Sequence, residues 1–251
     1  MWSCFIFVRE WRCISEFGKS SITPDFVTSP LFKLNAVLMS FLGCHRLADF
    51  ENNIKKDHEK AAKVYKTNCD DYKYAQSCFK YGNLALMGKG LKQDFRQSFD
   101  YYKKGCDQGH MPACNNLGLM FGGGKVTHKK DYKNAIECFK KACDGGFASS
   151  CYHLSGLYLT GRDEIPKDMK QAHEYSVKAC EGGVYYACTN LSRMYAKGDG
   201  VDKNPRLSEH YKKEADKVKE NHKGDSQART LTFSEKDQHN RNFSENKHYA
   251  V

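Results

Sequence analysis

Cysteine recurs in pairs at a fixed interval along this chain. Cys69, Cys106, Cys143 and Cys180 each follow the last by 37 residues. Their companions Cys78, Cys114, Cys151 and Cys188 are spaced 36, 37 and 37. Asp57, Asp94, Asp131 and Asp168 keep the same register. A period of this length specifies stacked repeats rather than one globular core. Cysteines locked to that period make each repeat a stapled unit.

Every period reads as two helices joined by a tight turn. In the third, Asp131 can cap a helix by accepting an orphan backbone N–H. Ala135, Phe139 and Ala142 then mark one helical face, and Gly145-Gly146 ends it. A second helix starts near Ala148 with Cys151, Leu154, Leu157 and Tyr158 as its stripe, and Gly161 closes it. Gln108-Gly109 and Gly182-Gly183 occupy the same turn in other units, and Cys114, Leu117 and Met120 match Cys188, Leu191 and Met194. One such pair cannot bury its apolar faces alone, so stacking supplies the core. The expected fold is all-α, a right-handed α/α solenoid of TPR-like helix-turn-helix repeats.

The expected units are repeats 57–93, 94–130, 131–167 and 168–204. Cys44, Leu47 and Phe50 reproduce the second-helix stripe, which makes 43–56 a half-repeat. Residues 1–42 are atypical, and expected to be disordered or to stem from a misjoined gene model. At the other end Asn204-Pro205 starts a capping helix over 205–220, its apolar side formed by Leu207, Tyr211, Ala215 and Val218. Residues 221–251 are polar and aperiodic, and a disordered tail is expected there.

The first cysteine of each pair ends one helix and the second lies in the first turn of the next. Antiparallel helices bring those positions close, so the expected bonds are Cys69–Cys78, Cys106–Cys114, Cys143–Cys151 and Cys180–Cys188. Buried free thiols would be scattered over core positions, and a metal site would want histidine at a repeating position, which is absent. Cys4, Cys13, Cys44 and Cys138 are expected to be unpaired. The position facing Cys44 falls near Asn35 or Ala36, and no repeat surrounds Cys4 and Cys13.

Forty basic against thirty acidic residues give a net charge of +10. Much of the lysine lies beside Asp or Glu at helical spacing, which describes a solvated face; an acidic partner or an anionic membrane surface are the other readings. Zinc-finger spacing, an RNP-type aromatic motif and a dense basic block are all absent, so nucleic acid is not an expected partner. No run reaches the roughly 18–20 apolar residues of a membrane span. Arg9, Glu10 and Arg12 interrupt anything resembling a secretory signal. No cysteine pair forms a CxxC, which removes the thioredoxin-type motif. Disulfides nevertheless require an oxidising compartment.

The helix pairs, the glycine turns, the Gly88-Lys89-Gly90 and Gly198-Asp199-Gly200 loops and the recurring Asp resemble Sel1-like repeats. The cysteine pair in each repeat is similar to the cysteine-rich, Hcp-like branch of that family, once described as β-lactamase-like. Gly43-Cys44-His45-Arg46-Leu47, Ala142-Cys143-Asp144-Gly145-Gly146, Ser192-Arg193-Met194-Tyr195 and Leu231-Thr232-Phe233 resemble the branch's cytochrome c oxidase assembly factors. The resemblance runs roughly from Gly43 to Phe233. Residues 1–42 depart from that family's N-terminus, which carries further cysteines, and the chain after Ser234 reads as an extension.

The resemblance implies a protein of the mitochondrial intermembrane space, trapped there by the disulfide relay and acting in assembly of respiratory-chain complex IV. That space is oxidising and is reached without a secretory signal. A protein-binding scaffold is the leading reading, with no catalytic residues, no metal, no cofactor and a monomeric state expected. A second reading is a haem-binding, thiol-disulfide active factor, with His45, His110, Met111, His153 and His173 as candidate axial ligands. A third is a β-lactamase-like hydrolase. Ser77-Cys78-Phe79-Lys80 fits S-x-x-K, but so does Ser244-Glu245-Asn246-Lys247, and neither has the accompanying motifs.

Overall fold

A computed structural model describes residues 30–126, 128–162 and 164–225, with side chains over 41–221 of that span. Among the described residues are ten helices: α1 Pro30–Asn53, α2 His58–Tyr72, α3 Ala75–Met87, α4 Phe95–Asp107, α5 Met111–Gly123, α6 Tyr132–Asp144, α7 Ala148–Thr160, α8 Met169–Glu181, α9 Tyr185–Lys197 and α10 Pro205–Asp225. The sole β-pairing among them is an isolated bridge between Arg162 and Ile165. Each repeat is a leading helix (α2, α4, α6, α8) followed by a trailing one (α3, α5, α7, α9). α1 stands as a trailing helix at one end, and α10 as a leading helix at the other.

The periodic aspartates start the leading helices. Asp57, Asp94, Asp131 and Asp168 accept from the backbone N–H of Lys60, Gln97, Asn134 and Gln171. Each satisfies a donor that the first turn would otherwise orphan. Asn204 does the same for α10, accepting from the N–H groups of Arg206 and Leu207. The trailing helices start differently. Tyr74, His110, Phe147 and Val184 occupy their cap positions, and none makes a side-chain cap bond.

The turn within a repeat needs one left-handed residue. Gly146 fills it at φ 85°, where a side chain would strain the backbone. The first repeat solves the problem otherwise. Its leading helix is 15 residues long against 13 in the others, and Lys73 takes the left-handed position at φ 55°. The cysteine separation there is correspondingly 9 rather than 8.

Packing follows the repeat. Ala135, Phe139, Ala142, Leu154 and Tyr158 are buried, as are Leu117, Met120, Leu191 and Met194. Each trailing helix packs more extensively on the next leading helix than on its own. One column of contacts shows how that junction is fitted. Gly82 lets the Tyr102 ring approach, and a Cβ there would come within 2.8 Å of it. Gly118 does the same for Phe139, at 2.7 Å. In the next repeat the ring is replaced by Ser176, and the opposing residue is Ser155, joined to it by a 2.6 Å hydroxyl hydrogen bond.

The ends differ from expectation. α1 begins at Pro30 rather than near residue 43, because nothing between Pro30 and Gly43 breaks a helix and Pro suits its first position. Phe50 is exposed, and Ala48 is buried in its place. Among the described residues no leading helix precedes α1 to cover the side bearing Phe50, and the Lys55 ammonium lies 5.3 Å from the centroid of its ring. α10 runs to Asp225, beyond the expected end at residue 220. Leu207 is among the exposed residues while Ala215 carries the packing. The remainder of the expected tail, 226–251, and the segment 1–29 with Cys4 and Cys13, lie outside the described residues.

Candidate functional site

Four disulfides join each leading helix to its trailing helix: Cys69–Cys78, Cys106–Cys114, Cys143–Cys151 and Cys180–Cys188. Their Cα atoms lie 4.5–4.9 Å apart, within the span a disulfide bridges. All eight cysteines are buried. The bonds therefore form an internal seam along the solenoid. Cys138 is a free, half-buried thiol, and burial foremost pushes it up to about 11, away from the reactive thiolate. Cys44 corrects the expectation for it: it is disulfide-bonded. The register position near Asn35 holds no cysteine, so the repeat pattern carries no signature of that bond.

Polar groups cluster at the first junction. His45 Nδ1 lies 2.9 Å from the Ser77 hydroxyl, and Asn68 Nδ2 donates to the same oxygen at 2.8 Å. Asn68 also donates to the Phe41 carbonyl at 2.8 Å, and Tyr65 donates to Asp49. His45 Nε2 is 3.6 Å from Asp49. Serine, histidine and aspartate thus stand in line, yet Ser77 is 0% exposed and Cys78 beside it is bonded to Cys69. No substrate can reach that hydroxyl, so the S-x-x-K match has a structural role. Ser244 lies outside the described residues.

The same contact recurs with alternating chemistry. At two junctions the residue after the second cysteine of one trailing helix bonds the residue before the second cysteine of the next, and at the other two the corresponding residues share an apolar cluster. His45 meets Ser77, and Asn115 accepts from Ser150 at 2.8 Å. Phe79 and Ala113 share an apolar cluster, and so do Tyr152 and Ala187. At this one position, polar and apolar residue pairs alternate along the stack.

The candidate axial ligands fall on separate helices. His110 sits before α5 with its ring 4.8 Å from Phe79, and its buried Nδ1 has no hydrogen-bond partner. Burial first, then Lys80 and His45, lower it to about 4. Met111 packs where a Cβ on Gly145 would stand. His153 lies against Phe139 at 5.1 Å, and His173 is 2.9 Å from the Tyr195 hydroxyl. His45 and His110 are close enough to influence each other. Among the described residues no group of three or more His, Cys, Asp or Glu could hold a metal ion.

The leading helices carry the charge. Asp70 accepts from Lys104 and Tyr101 at 2.6 Å each and from Lys66 at 2.8 Å. Burial alone would raise its carboxyl, but these donors outweigh it and hold it at about 2. Lys104 also lies 4.3 Å from the centroid of the Tyr101 ring. One and two repeats on, Lys141 donates to the Cys106 carbonyl at 2.8 Å and Lys178 approaches Asp144 at 3.8 Å. This ladder was hidden from sequence reading. Its columns were visible as Asp or Glu after the first cysteine and Lys before it, but not the fact that they face each other. An open recess lined by Lys66, Arg96, Asp100, Tyr101 and Lys104 lies over it.

Among the described residues no helix is long and apolar enough to cross a membrane. The chain is similar to cytochrome c oxidase assembly factor 7 homolog of Drosophila melanogaster, 50% identical over 80 residues, which cover 31% of this chain and 30% of that protein. It is similar to human cytochrome c oxidase assembly factor 7 at 40% over 89 residues, 34% of this chain and 38% of that one. The matched stretch thus spans about a third of those relatives, shorter than the expected reach from Gly43 to Phe233. Among solved structures, a Sel1 repeat protein from Oxalobacter formigenes superposes with a TM-score of 0.66 at 23% identity, covering 77% of each chain, which is a likeness of fold. The Sel1 repeat profile matches residues 75–110, 112–147, 148–184 and 186–215. Those frames run from a trailing helix to the next leading helix, the pairing that packs most extensively here. Matched over more than half its length and folded as stacked pairs throughout the described span, this chain belongs to the Sel1 repeat family.

Proposed function

We propose that this chain is a protein-binding scaffold of the mitochondrial intermembrane space that acts in assembly of cytochrome c oxidase. The identity to assembly factor 7 of fly and human carries the reading. Four buried disulfides support the compartment, because such bonds persist where thiols are oxidised. The resemblance to the assembly factors adds entry as a reduced chain and trapping by the disulfide relay to this reading. The protein has no catalytic role in this reading: the Ser77 hydroxyl beside His45 is sealed in the core.

Cells depleted of the chain are expected to lose assembled oxidase on native gels while other respiratory complexes persist, with recovery on re-expression. Normal oxidase in depleted cells overturns the reading. Alkylation of fractionated mitochondria tests the location. The eight seam cysteines should be blocked, and the protein should resist protease until the outer membrane is opened. Free thiols in a cytosolic pool overturn it.

A further inference from the structure

Charge is divided between the two sets of helices. The trailing helices α3, α5, α7 and α9 contain no Asp or Glu, and their charges are Lys80, Arg193 and Lys197 alone. The leading helices carry both signs and pair them across repeats. The trailing helices meet one another directly: Asn116 reaches Asn83, Ser150 reaches Asn115, and the Tyr152 and Tyr186 rings lie 6.3 Å apart. They therefore form a continuous surface. Lys80, Asn83, Asn116, Asn190 and Arg193 are partly or fully exposed along it. Arg46 continues it onto α1 and is also exposed. Among the described residues no carboxylate pairs with Arg46, Lys80 or Arg193.

We propose that this trailing-helix surface docks an extended acidic peptide segment of a protein partner, with Lys80 and Arg46 taking carboxylates at one end, Arg193 at the other, and the asparagines between them hydrogen-bonding its backbone. The inference rests on the scaffold reading and adds the face and the chemistry of its partner. Asn83 Oδ1 already accepts from the Tyr102 hydroxyl and from Asn116, and Asn190 Oδ1 from Arg193, but each amide carries two N–H donors and two acceptor lone pairs and keeps capacity for a peptide backbone. Arg193 is held by the neutral Asn190 rather than by a carboxylate, so it and the unpaired Lys80 and Arg46 can take an incoming carboxylate, whereas the lysines of the ladder are already engaged. Helices in contact lie about 8–10 Å apart, so α3 to α9 spans roughly 24–30 Å, the reach of about eight extended residues.

The test uses the full oxidised chain and a fluorescent peptide of about nine residues with paired glutamates at each end of a Gly-Ser stretch. Anisotropy should show binding that weakens with salt, and the glutamine version of the peptide should not bind. Lys80→Glu with Arg193→Glu should weaken binding more than about tenfold. Lys80→Gln with Arg193→Gln should weaken it less, and Lys103→Glu with Lys140→Glu on the leading helices should leave it within about twofold. Intact mass and circular dichroism confirm that each variant is folded and oxidised. Equal binding of the glutamine peptide, an equal loss from the leading-helix reversals, or preference for anionic phospholipid vesicles through the same residues overturns the proposal. In depleted cells, full rescue by Lys80→Glu with Arg193→Glu overturns the surface and leaves the scaffold reading standing; failure of the wild-type chain to rescue strikes the scaffold reading instead.

Discussion

The leading and trailing helices of this solenoid are held by different physics. The leading helix of the second, third and fourth repeats is locally complete: an aspartate caps it, charges decorate its solvent side, and a lysine in its last turn suits the negative end of its dipole. The trailing helix of each full repeat has neither a side-chain cap nor a carboxylate, and its cap position holds an aromatic, histidine or valine residue. It is held in place by the disulfide in its first turn and by close packing on the following leading helix. One layer is specified by local sequence, the other by what surrounds it. The layer freed from charge pairing is the one with chemistry left over for a partner.

The contrast is broken most strongly at the seam. Cys143→Ser with Cys151→Ser should cost about 2.5 kcal/mol through loop-closure entropy, measured as the urea midpoint against the parent. Hydrogen exchange should rise first in α7, the helix without a cap, and a uniform rise across α6 and α7 would show that the layers do not differ. Gly118→Ala comes next. Its methyl would meet the Phe139 ring, and the loss should be about 2 kcal/mol by thermal melting. A loss under about 0.5 kcal/mol would mean that the ring yields freely. Asp131→Ala removes a leading-helix cap and should cost about 1 kcal/mol, with fraying confined to the start of α6.

The remaining effect is one of pH. An unfolded histidine titrates near 6.5, whereas His110 in the fold is lowered to about 4. Between those values the unfolded chain binds the extra proton, so stability falls as pH drops from about 6.5 to about 4. His110→Phe gives this unit the ring that Phe147 supplies in the next and should make that slope shallower. Urea midpoints taken at both ends of the window measure it, and an unchanged slope would assign it to other groups.

The sequence made the leading layer legible almost residue by residue. Asp131, the Ala135–Phe139–Ala142 face and Gly145-Gly146 each act through neighbours a turn away, and the cysteine spacing implied which positions must meet. What escaped were relations across repeats. Asp70 and Lys104 are 34 residues apart, and a period reveals columns without saying which columns touch. The His45–Ser77–Asn68 cluster escaped for the same reason. Cys44 and the start of α1 escaped because they lie where the repeat stops, and an argument built on periodicity has nothing to compare there.

The alternation of polar and apolar junctions gives the stack a parity. Loss of one repeat between α3 and α7 would set the Phe79 ring against Ser150, stranding a hydroxyl that Asn115 now holds. Loss of two would set it against Ala187, a match of the kind already present. Repeats in this chain are therefore not interchangeable beads. A duplication or deletion of odd number should cost more stability than one of even number, a difference that the 37-residue period alone would never reveal.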